Sequence, residues 1–420
     1  MERLIVTGGT PLRGSIAVSG AKNAILPIMA ASLLSESRVV LEGVPFLKDV
    51  QTMKETLESL GAKIKLTGDT IEVNPSGLHS QEVPSSLARR MRASNLVMGP
   101  LLGRFGTFKA SYPGGCTIGS RPMDLHIKGF EALGAKIDED HGYIKAEAAK
   151  LKGTEIHLDF PSVGATENIM MAATLAEGTT IIRNAAREPE IVDLQNYLNK
   201  MGARIRGAGM DSIRIDGVKK LNREISYRVI PDRIETGTFM VAAAITRGEL
   251  VIENAIPEHV EAVTAKLREA GVQVREEDDR IIVKGSPVWK GLDIRTMPFP
   301  GFPTDMQPQM MVFLCLAQGT SIITENIFEN RYRHVGELRR MGGQIQLEGR
   351  SAIIKGVPRL TGTVVEATDL RAGAALVLGG LAAENTTVIE GVHHLDRGYG
   401  NLEERLRMLG AQIYRETNLS

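Results

Sequence analysis

The sequence predicts an α/β protein of two similar globules, each assembled from three copies of one unit, with helices buried inside and sheets outside. Three observations lead there. A glycine-centred phrase recurs six times at intervals of about 70 residues. A second phrase, a helix of small and apolar residues that turns into a β-branched strand, recurs between its copies. The chain has 420 residues, more than one hydrophobic core ordinarily serves, so a division in two is expected.

The first phrase reads LESLGAKI ending at Ile64, FEALGAKI at Ile137 and LNKMGARI at Ile205. It returns as LREAGVQV ending at Val274, LRRMGGQI at Ile345 and LRMLGAQI at Ile413. Its glycines are Gly61, Gly134, Gly202, Gly271, Gly342 and Gly410. Each reads as a helix closed by a left-handed glycine, with a strand directly after it. In the first copy that strand runs from Lys63 to Leu66, and Thr70 to Val73 pairs back across Gly68–Asp69. The second phrase is clearest in Ile169 to Ala185, Phe239 to Ala255 and Met311 to Ile327, and Ala382 to Ile389 closes the last copy. Its helices are apolar nearly all round and belong in the interior, whereas helices such as Asp49 to Leu60 carry charge on one face and belong outside. No run of Pro, Gly and Ser marks a flexible linker. The seam is therefore short, and it falls near Val229–Pro231, between the third and fourth copies.

Lys plus Arg equals Asp plus Glu at 50 each, which points away from nucleic acid and from a membrane surface as partners. Met1 to Thr10 has no apolar run behind a basic start, and the apolar stretch Ala372 to Ala383 is too short to span a bilayer. Two cysteines, Cys116 and Cys315, cannot form a disulfide framework at this length, so a reducing cytoplasm is the expected location. The balanced charge and an aromatic content of 4% fit a monomer better than a scaffold with exposed apolar surface.

Polar residues gather just before each buried helix: Lys22-Asn23, Arg92, Ser162 to Glu167, Asp232 to Thr236, Thr304-Asp305 and Asp369 to Arg371. Helix starts offer free N–H groups and partial positive charge, which suit phosphates and carboxylates. Capping alone accounts for Ser162, Thr166 and Thr304. It does not account for Lys22, Arg92, Arg233 or Arg371, because a cation sits unfavourably at the positive end of a helix. An anionic ligand is the reading that does.

The run Ser19-Gly-Ala-Lys22-Asn23-Ala24 resembles the opening motif of the UDP-N-acetylglucosamine 1-carboxyvinyltransferase family. Further matches are Met91-Arg92-Ala-Ser94, Pro113-Gly-Gly-Cys116-Thr-Ile-Gly119, Arg121-Pro122-Met123-Asp124-Leu125-His126 and Ser162-Val163-Gly164-Ala-Thr166-Glu167. Pro231 to Gly237, Phe302 to Gln307, Glu329-Asn-Arg331, Thr368-Asp369-Leu-Arg371 and Asp396-Arg397-Gly-Tyr399 extend the resemblance over essentially the whole chain. It implies a pair of inverted α/β barrels (EPT/RTPC-like) with the active site between the domains. Residues 1–21 and 231–420 then form a discontinuous C-terminal-type domain, and 22–230 the other, with the first strand and residues to about Ser19 joining the former. It further implies phosphoenolpyruvate and UDP-N-acetylglucosamine as substrates, no cofactor, and a place in peptidoglycan synthesis, hence in cell-wall biogenesis, cell shape and cell division. Two departures stand out: Phe160 where some relatives carry Lys, and Asn95-Leu96 where some carry an aromatic residue.

The reaction so implied must clamp a trianion, protonate carbon C3 and take a proton from an alcohol. It calls for no metal, and no His/Cys cluster has zinc spacing. The resemblance gives the clamp to Lys22, Arg121 and Arg397, with Asn23, Arg92 and Arg371 nearby; arginine's fork suits paired oxygens. Cys116, in a glycine-rich loop, is the candidate acid for C3, since a thiol is mostly protonated at neutral pH. It should be open to alkylation by an epoxide mimic of phosphoenolpyruvate, as in fosfomycin-sensitive relatives. Cys315 reads instead as a small core hydrophobe. Asp305 is the candidate base for the sugar hydroxyl and Asp369 an electrostatic helper, the alternative being that Asp305 only orients the hydroxyl. Asn23, Arg92, Arg121, Pro122, Met123, Asp124, Leu125, His126, Ser162, Val163, Gly164, Thr304, Ile327 and Arg331 are carried over for the nucleotide sugar. Leu125 and Ile327 would otherwise read as core. The first motif of the sister enzymes that act on shikimate 3-phosphate ordinarily has Ser where this chain has Ala21 and Asn23, and they lack the cysteine loop, so the resemblance to them is the weaker one. A silent nucleotide-sugar-binding paralogue would not need Lys22, Cys116, Asp305 and Arg397 together.

Overall fold

Each repeated phrase folds into the helix and strand expected of it, and the third copy shows the whole unit. The computed structural model describes residues 2–112, 118–119 and 123–417. In the third copy the strand Glu155–His157 leads into the inner helix Val163–Ala173 and the strand Thr179–Arg183. The outer helix Pro189–Met201 and the strands Ile205–Arg206 and Ser212–Asp216 follow. The first strand lies parallel to Thr179–Arg183, and the final hairpin lies antiparallel on its other side, giving a four-stranded sheet. Among the described residues five sheets have four strands, and the sheet around Thr107–Ser111 has three.

Two strands are exchanged between copies. Arg13–Ala17 precedes the first inner helix, Lys22–Ala31, yet pairs with Glu249–Glu253 of the fourth copy. Ile225–Arg228 precedes the fourth inner helix, Arg233–Ile245, yet pairs with Val39–Glu42 of the first. Glu2–Thr7 lies between Thr386–Glu390 and Gln412–Thr417 and completes the sheet of the last copy. The exchange closes each set of three copies on itself.

The chain accordingly divides into two units, Met1–Ser19 with Thr117–Ser120 and Pro231–Ser420, and Gly20–Cys116 with Arg121–Ile230. Each has its own hydrophobic core. Within the first, the Asp232 N–H donates to the Ser19 carbonyl at 2.9 Å; within the second, the Ala21 N–H donates to the Ile230 carbonyl at 2.8 Å. The ends of both crossings are thus fixed by backbone bonds. The Ile118 carbonyl accepts from the Asn330 N–H at 3.0 Å, which ties this short piece to the first unit although the sequence reading grouped it with 22–230.

The inner helices are buried on every side: Ile234 to Ile245 and Leu370 to Leu381 are all inside. Small residues permit this, because a side chain at Gly379 would press on Val312 of the helix Gln307–Cys315 at 3.2 Å. Outer helices bury one stripe, such as Val50, Met53 and Leu57 of Lys48–Ser59. Among the described residues no helix is long and apolar enough to cross a membrane.

All six phrase glycines are left-handed, with φ from 96° at Gly134, Gly342 and Gly410 to 113° at Gly202. At Gly342 an added Cβ meets nothing within 4 Å, whereas at Gly61 it would lie 2.4 Å from the Gly77 carbonyl oxygen. Gly342→Ala should therefore cost only the left-handed penalty, about 1–2 kcal/mol, and Gly61→Ala more, as read from urea unfolding midpoints.

Candidate active site

In the unit of Pro231–Ser420, the turn Thr304–Met306 places Asp305 just ahead of the inner helix Gln307–Cys315. Asp305 Oδ1 accepts from Arg331 Nη2 at 3.0 Å, and Oδ2 accepts from Arg371 Nε at 3.2 Å and Nη2 at 3.0 Å. The Arg331 and Arg371 side chains are 1% and 4% exposed, and that of Asp305 is 26% exposed, so only the carboxylate reaches outward. Burial opposes the charge on Arg371, yet the Asp305 carboxylate overrides it and holds the guanidinium more firmly protonated than usual. Arg371, expected from its helix-start position to await an anionic ligand, thus already has an internal carboxylate partner.

Arg371 is steadied from behind. Its guanidinium lies 5.4 Å from the Tyr399 ring centroid. Thr238 donates to the Ile234 carbonyl at 2.7 Å, so its hydroxyl oxygen accepts from Tyr399, 2.9 Å away. Asp369 caps the helix Leu370–Ala382: its Oδ1 accepts the N–H groups of Arg371 and Ala372 at 2.9 and 3.0 Å. Asp232 does the same for Arg233–Ile245, bonding Ile234 and Glu235 at 2.8 and 3.0 Å.

Thr304 does not act as a cap; its hydroxyl donates to Glu325 Oε2 at 3.0 Å. The buried Glu325 also accepts from Thr296 and from the Ile327 and Phe328 N–H groups, and so shapes the half-buried turn at Ile327. Arg397 is half-buried in the turn Val392–Arg397, and beside it burial, His393 and Arg397 push the His394 imidazole down. Glu235 pairs with Arg405, which also donates to the Ala17 carbonyl at 2.6 Å.

In the unit of Gly20–Ile230, Lys22 and Asn23 open the first inner helix, and Lys22 Nζ lies 3.4 Å from Asp49 Oδ2. Arg92 begins the turn Arg92–Val97, but its side chain, like Cys116, Arg121 and Pro122 entirely, lies outside the described residues. Ser162 caps Val163–Ala173 by accepting from the Ala165 N–H at 3.4 Å. Thr166 does not cap; its hydroxyl donates to the Ser162 carbonyl at 2.8 Å and accepts from the Ala186 N–H at 3.1 Å.

Buried Asn168 brings three motifs of this unit together. It accepts from the Gly99 N–H at 2.7 Å, donates to the Asn95 carbonyl at 3.2 Å and meets His126 Nδ1 at 3.1 Å. Asn95 in turn reaches Met123 Sδ at 3.5 Å. Gly164 faces the His126 ring, which an added Cβ would approach to 3.3 Å. Val163 is half-buried, Leu125 packs against the core edge and Asp124 is exposed at the start of its helix. Burial, with Glu190 and Glu188 nearby, pushes the Glu167 carboxyl well above the usual range. Cys315 lies wholly in the core, its thiol pushed by burial to about 12, so it is inert as a nucleophile.

The first unit thus offers an anionic carboxylate gripped by two buried guanidiniums, a geometry able to receive and orient a hydroxyl. The second presents a cation and a carboxamide at a helix start. Residues 6–406 match the family model for EPSP synthase (3-phosphoshikimate 1-carboxyvinyltransferase). The chain belongs to the EPSP synthase family.

Within the family, the chain is 57% identical over 414 residues to UDP-N-acetylglucosamine 1-carboxyvinyltransferase 1 of Caldanaerobacter subterraneus subsp. tengcongensis, covering 99% of each. It is equally identical over 415 residues to the enzyme of that name from Carboxydothermus hydrogenoformans, covering 99% of this chain and 98% of the other. Among solved structures it resembles the enolpyruvyl transferase NikO of Streptomyces tendae, with a TM-score of 0.89, 25% identity and 99% of each chain covered. EPSP synthase of Acinetobacter baumannii shares the fold at a TM-score of 0.77 and 20% identity, over 99% of this chain and 100% of that one. The fold of this family member is the inverted α/β barrel, one in each unit, with helices inside and sheets outside.

Five residues of this family member's polar framework escaped the sequence reading: Asp49, Asn168, Glu325, Arg405 and His334. Asn168 carried a signal, a carboxamide midway along the inner helix Val163–Ala173, just before its apolar half. His334 is wholly buried, and burial pushes its imidazole down to about 4, opposed by Asp369 and reinforced by Arg331. An unfolded histidine takes its proton near pH 6.5, so acid favours the unfolded chain. The stability of the folded protein should fall as pH drops from 6.5 toward 4. The His334 share of that slope, at most about 3 kcal/mol, should vanish in His334→Gln when urea midpoints are compared across the range.

Proposed function

We propose that this chain transfers the enolpyruvyl group of phosphoenolpyruvate to the 3-hydroxyl of UDP-N-acetylglucosamine and releases phosphate. The observation that carries this reading is the full-length identity of 57% to proteins of that name. The hydroxyl oxygen bonds to C2 while C3 takes a proton, giving a tetrahedral ketal. C3 then returns a proton as the C2–O bond to phosphate breaks, restoring the vinyl group.

Asp305 receives the hydroxyl. Paired with two guanidiniums, it stays an anion and a weak base, so it orients the hydroxyl first and accepts its proton only as the C–O bond forms. Asp369 stabilises positive charge developing at C2. Lys22, Arg121 and Arg397 hold phosphoenolpyruvate, with Asn23, Arg92 and Arg371 supporting, and Cys116 protonates C3. Met123 to His126, Pro122, Ser162 to Gly164, Thr304, Ile327 and Arg331 shape the nucleotide-sugar site. With Phe160 in place of a lysine, the diphosphate is held less by charge and more by N–H groups.

The reaction commits material to peptidoglycan, which places the enzyme in cell-wall biogenesis and so in cell shape and division. A monomer in the cytoplasm fits its balanced charge and a count of two cysteines, too few for a disulfide framework at this length.

The test is phosphate release from phosphoenolpyruvate with UDP-N-acetylglucosamine, beside shikimate 3-phosphate, with no metal added. Release with the nucleotide sugar alone is expected, and Cys116→Ser should lower it and abolish labelling by the epoxide mimic. Release only with shikimate 3-phosphate would overturn the acceptor, and release with neither would leave a binding protein.

A further inference from the structure

Asn168 stands midway along the inner helix Val163–Ala173 and is 0% exposed. Its neighbours decide which end of its amide is which. Gly99, the second residue of the helix Met98–Phe105, has one of the N–H groups that no turn of its own helix pairs. That N–H can only donate, and it meets Asn168 Oδ1 at 2.7 Å, so the carboxamide oxygen lies on this side. Nδ2 lies on the other side, where the Asn95 carbonyl, which can only accept, is 3.2 Å away. Turning the amide over would set N–H against N–H and oxygen against oxygen.

One proton of Nδ2 serves Asn95. The other is left for His126 Nδ1, 3.1 Å away, so that nitrogen accepts through its lone pair. An imidazole that accepts at Nδ1 is neutral and carries its proton on Nε2. An amide put in the orienting place of a Ser–His–Asp triad selects a tautomer by the same logic. His126 is 5% exposed, and its ring faces the start of the Asn168 helix: a Cβ built on Gly164 would lie 3.3 Å from Cε1 and 3.5 Å from Nε2. Close packing holds the three helices in this relation. A Cβ at Gly99 would lie 2.3 Å from the Asn168 main-chain oxygen, and one at Gly129, on the His126 helix, 2.3 Å from Ile169 Cδ1.

We propose that Asn168 is a positioning residue for His126, holding the imidazole in the neutral tautomer with its proton on Nε2, so that the ring is a donor beside Gly164. An oxygen of the nucleotide sugar brought to that helix start then meets a proton, where the other tautomer would oppose it with a lone pair. The Asn95 contact is to the main chain, so the tautomer does not depend on the Asn95 side chain. The effect on substrate rests on the proposed nucleotide-sugar site; the tautomer itself does not.

Nitrogen-15 NMR of the full chain with its eight histidines labelled tests the tautomer directly, and His126→Gln identifies the His126 signals by their loss. A bare Nδ1 beside a protonated Nε2 is expected at neutral pH without substrate. A proton on Nδ1, alone or with one on Nε2, would overturn the proposal. Asn168→Asp replaces the donor by an acceptor and should draw a proton onto Nδ1; unchanged His126 signals there would mean that another group sets the tautomer, and would equally overturn it. Kinetics test the consequence. Asn168→Ala should raise KM for UDP-N-acetylglucosamine about 3- to 10-fold, the worth of one hydrogen bond, with kcat and KM for phosphoenolpyruvate little changed. In a His126→Gln background that rise should largely disappear, whereas an equal rise in both backgrounds would reduce Asn168 to a packing residue. If Asn168→Ala does not fold, Asn168→Asp, which keeps an acceptor for Gly99, gives the same comparison. A wild-type protein that releases no phosphate with UDP-N-acetylglucosamine would sink the substrate reading, while the NMR result would still decide the tautomer.

Discussion

The Asp305 carboxylate held between Arg331 and Arg371 is the interaction on which the rest of this unit's polar structure depends. Two guanidiniums out of water carry a heavy desolvation cost, which is tolerable only with a carboxylate in hydrogen-bonding geometry. Asp305 meets that need and in return is fixed in place, with its exposed side available to a substrate. The supporting bonds then follow in order. Asp369 caps the helix that carries Arg371, Tyr399 and Thr238 brace the Arg371 guanidinium, and Glu325 shapes the turn that leads to Arg331. Loss of Arg331 would remove the donor to Oδ1, and loss of Arg371 the two donors to Oδ2.

The repeat makes this clustering possible. Each copy delivers an inner helix whose N-terminal end is polar and whose body is apolar, so that charged groups collect where the helices begin. Asp305 and Arg371 come from successive copies and meet because their helices, Gln307–Cys315 and Leu370–Ala382, pack closely on small residues. The strand exchanges bring each set of three copies to closure, and the chain leaves one unit for the other after Ser19 and after Ile230, besides the short piece Thr117–Ser120. The passages at Ser19–Gly20 and Ile230–Pro231 are anchored by one backbone bond within each unit.

Much of this was legible in the sequence because it is local. A helix that ends in a left-handed glycine, or that is apolar on all faces, announces itself within a dozen residues. The exchange of Ile225–Arg228 does not: Arg228 meets Glu42 across 186 residues, and nothing near either end marks the pairing. The candidate site residues Asp305, Arg331 and Arg371 were reached through family motifs, and the structure adds that both arginines bind Asp305. Asp49 and His334 were missed for a physical reason. A polar residue on an amphipathic or short helix reads as surface until burial shows otherwise, and here they are 4% and 0% exposed.

The central claim is that Asp305 acts on the hydroxyl during reaction and is not merely a buried counter-ion. Asp305→Asn keeps the shape and a hydrogen-bonding group but removes the charge, so binding and turnover can be separated. Calorimetry with UDP-N-acetylglucosamine should find its affinity within several-fold of the wild type, while kcat falls by about a hundredfold or more. Abolished binding with an undiminished kcat at saturation would contradict the account and leave Asp305 as a structural anchor for its two arginines.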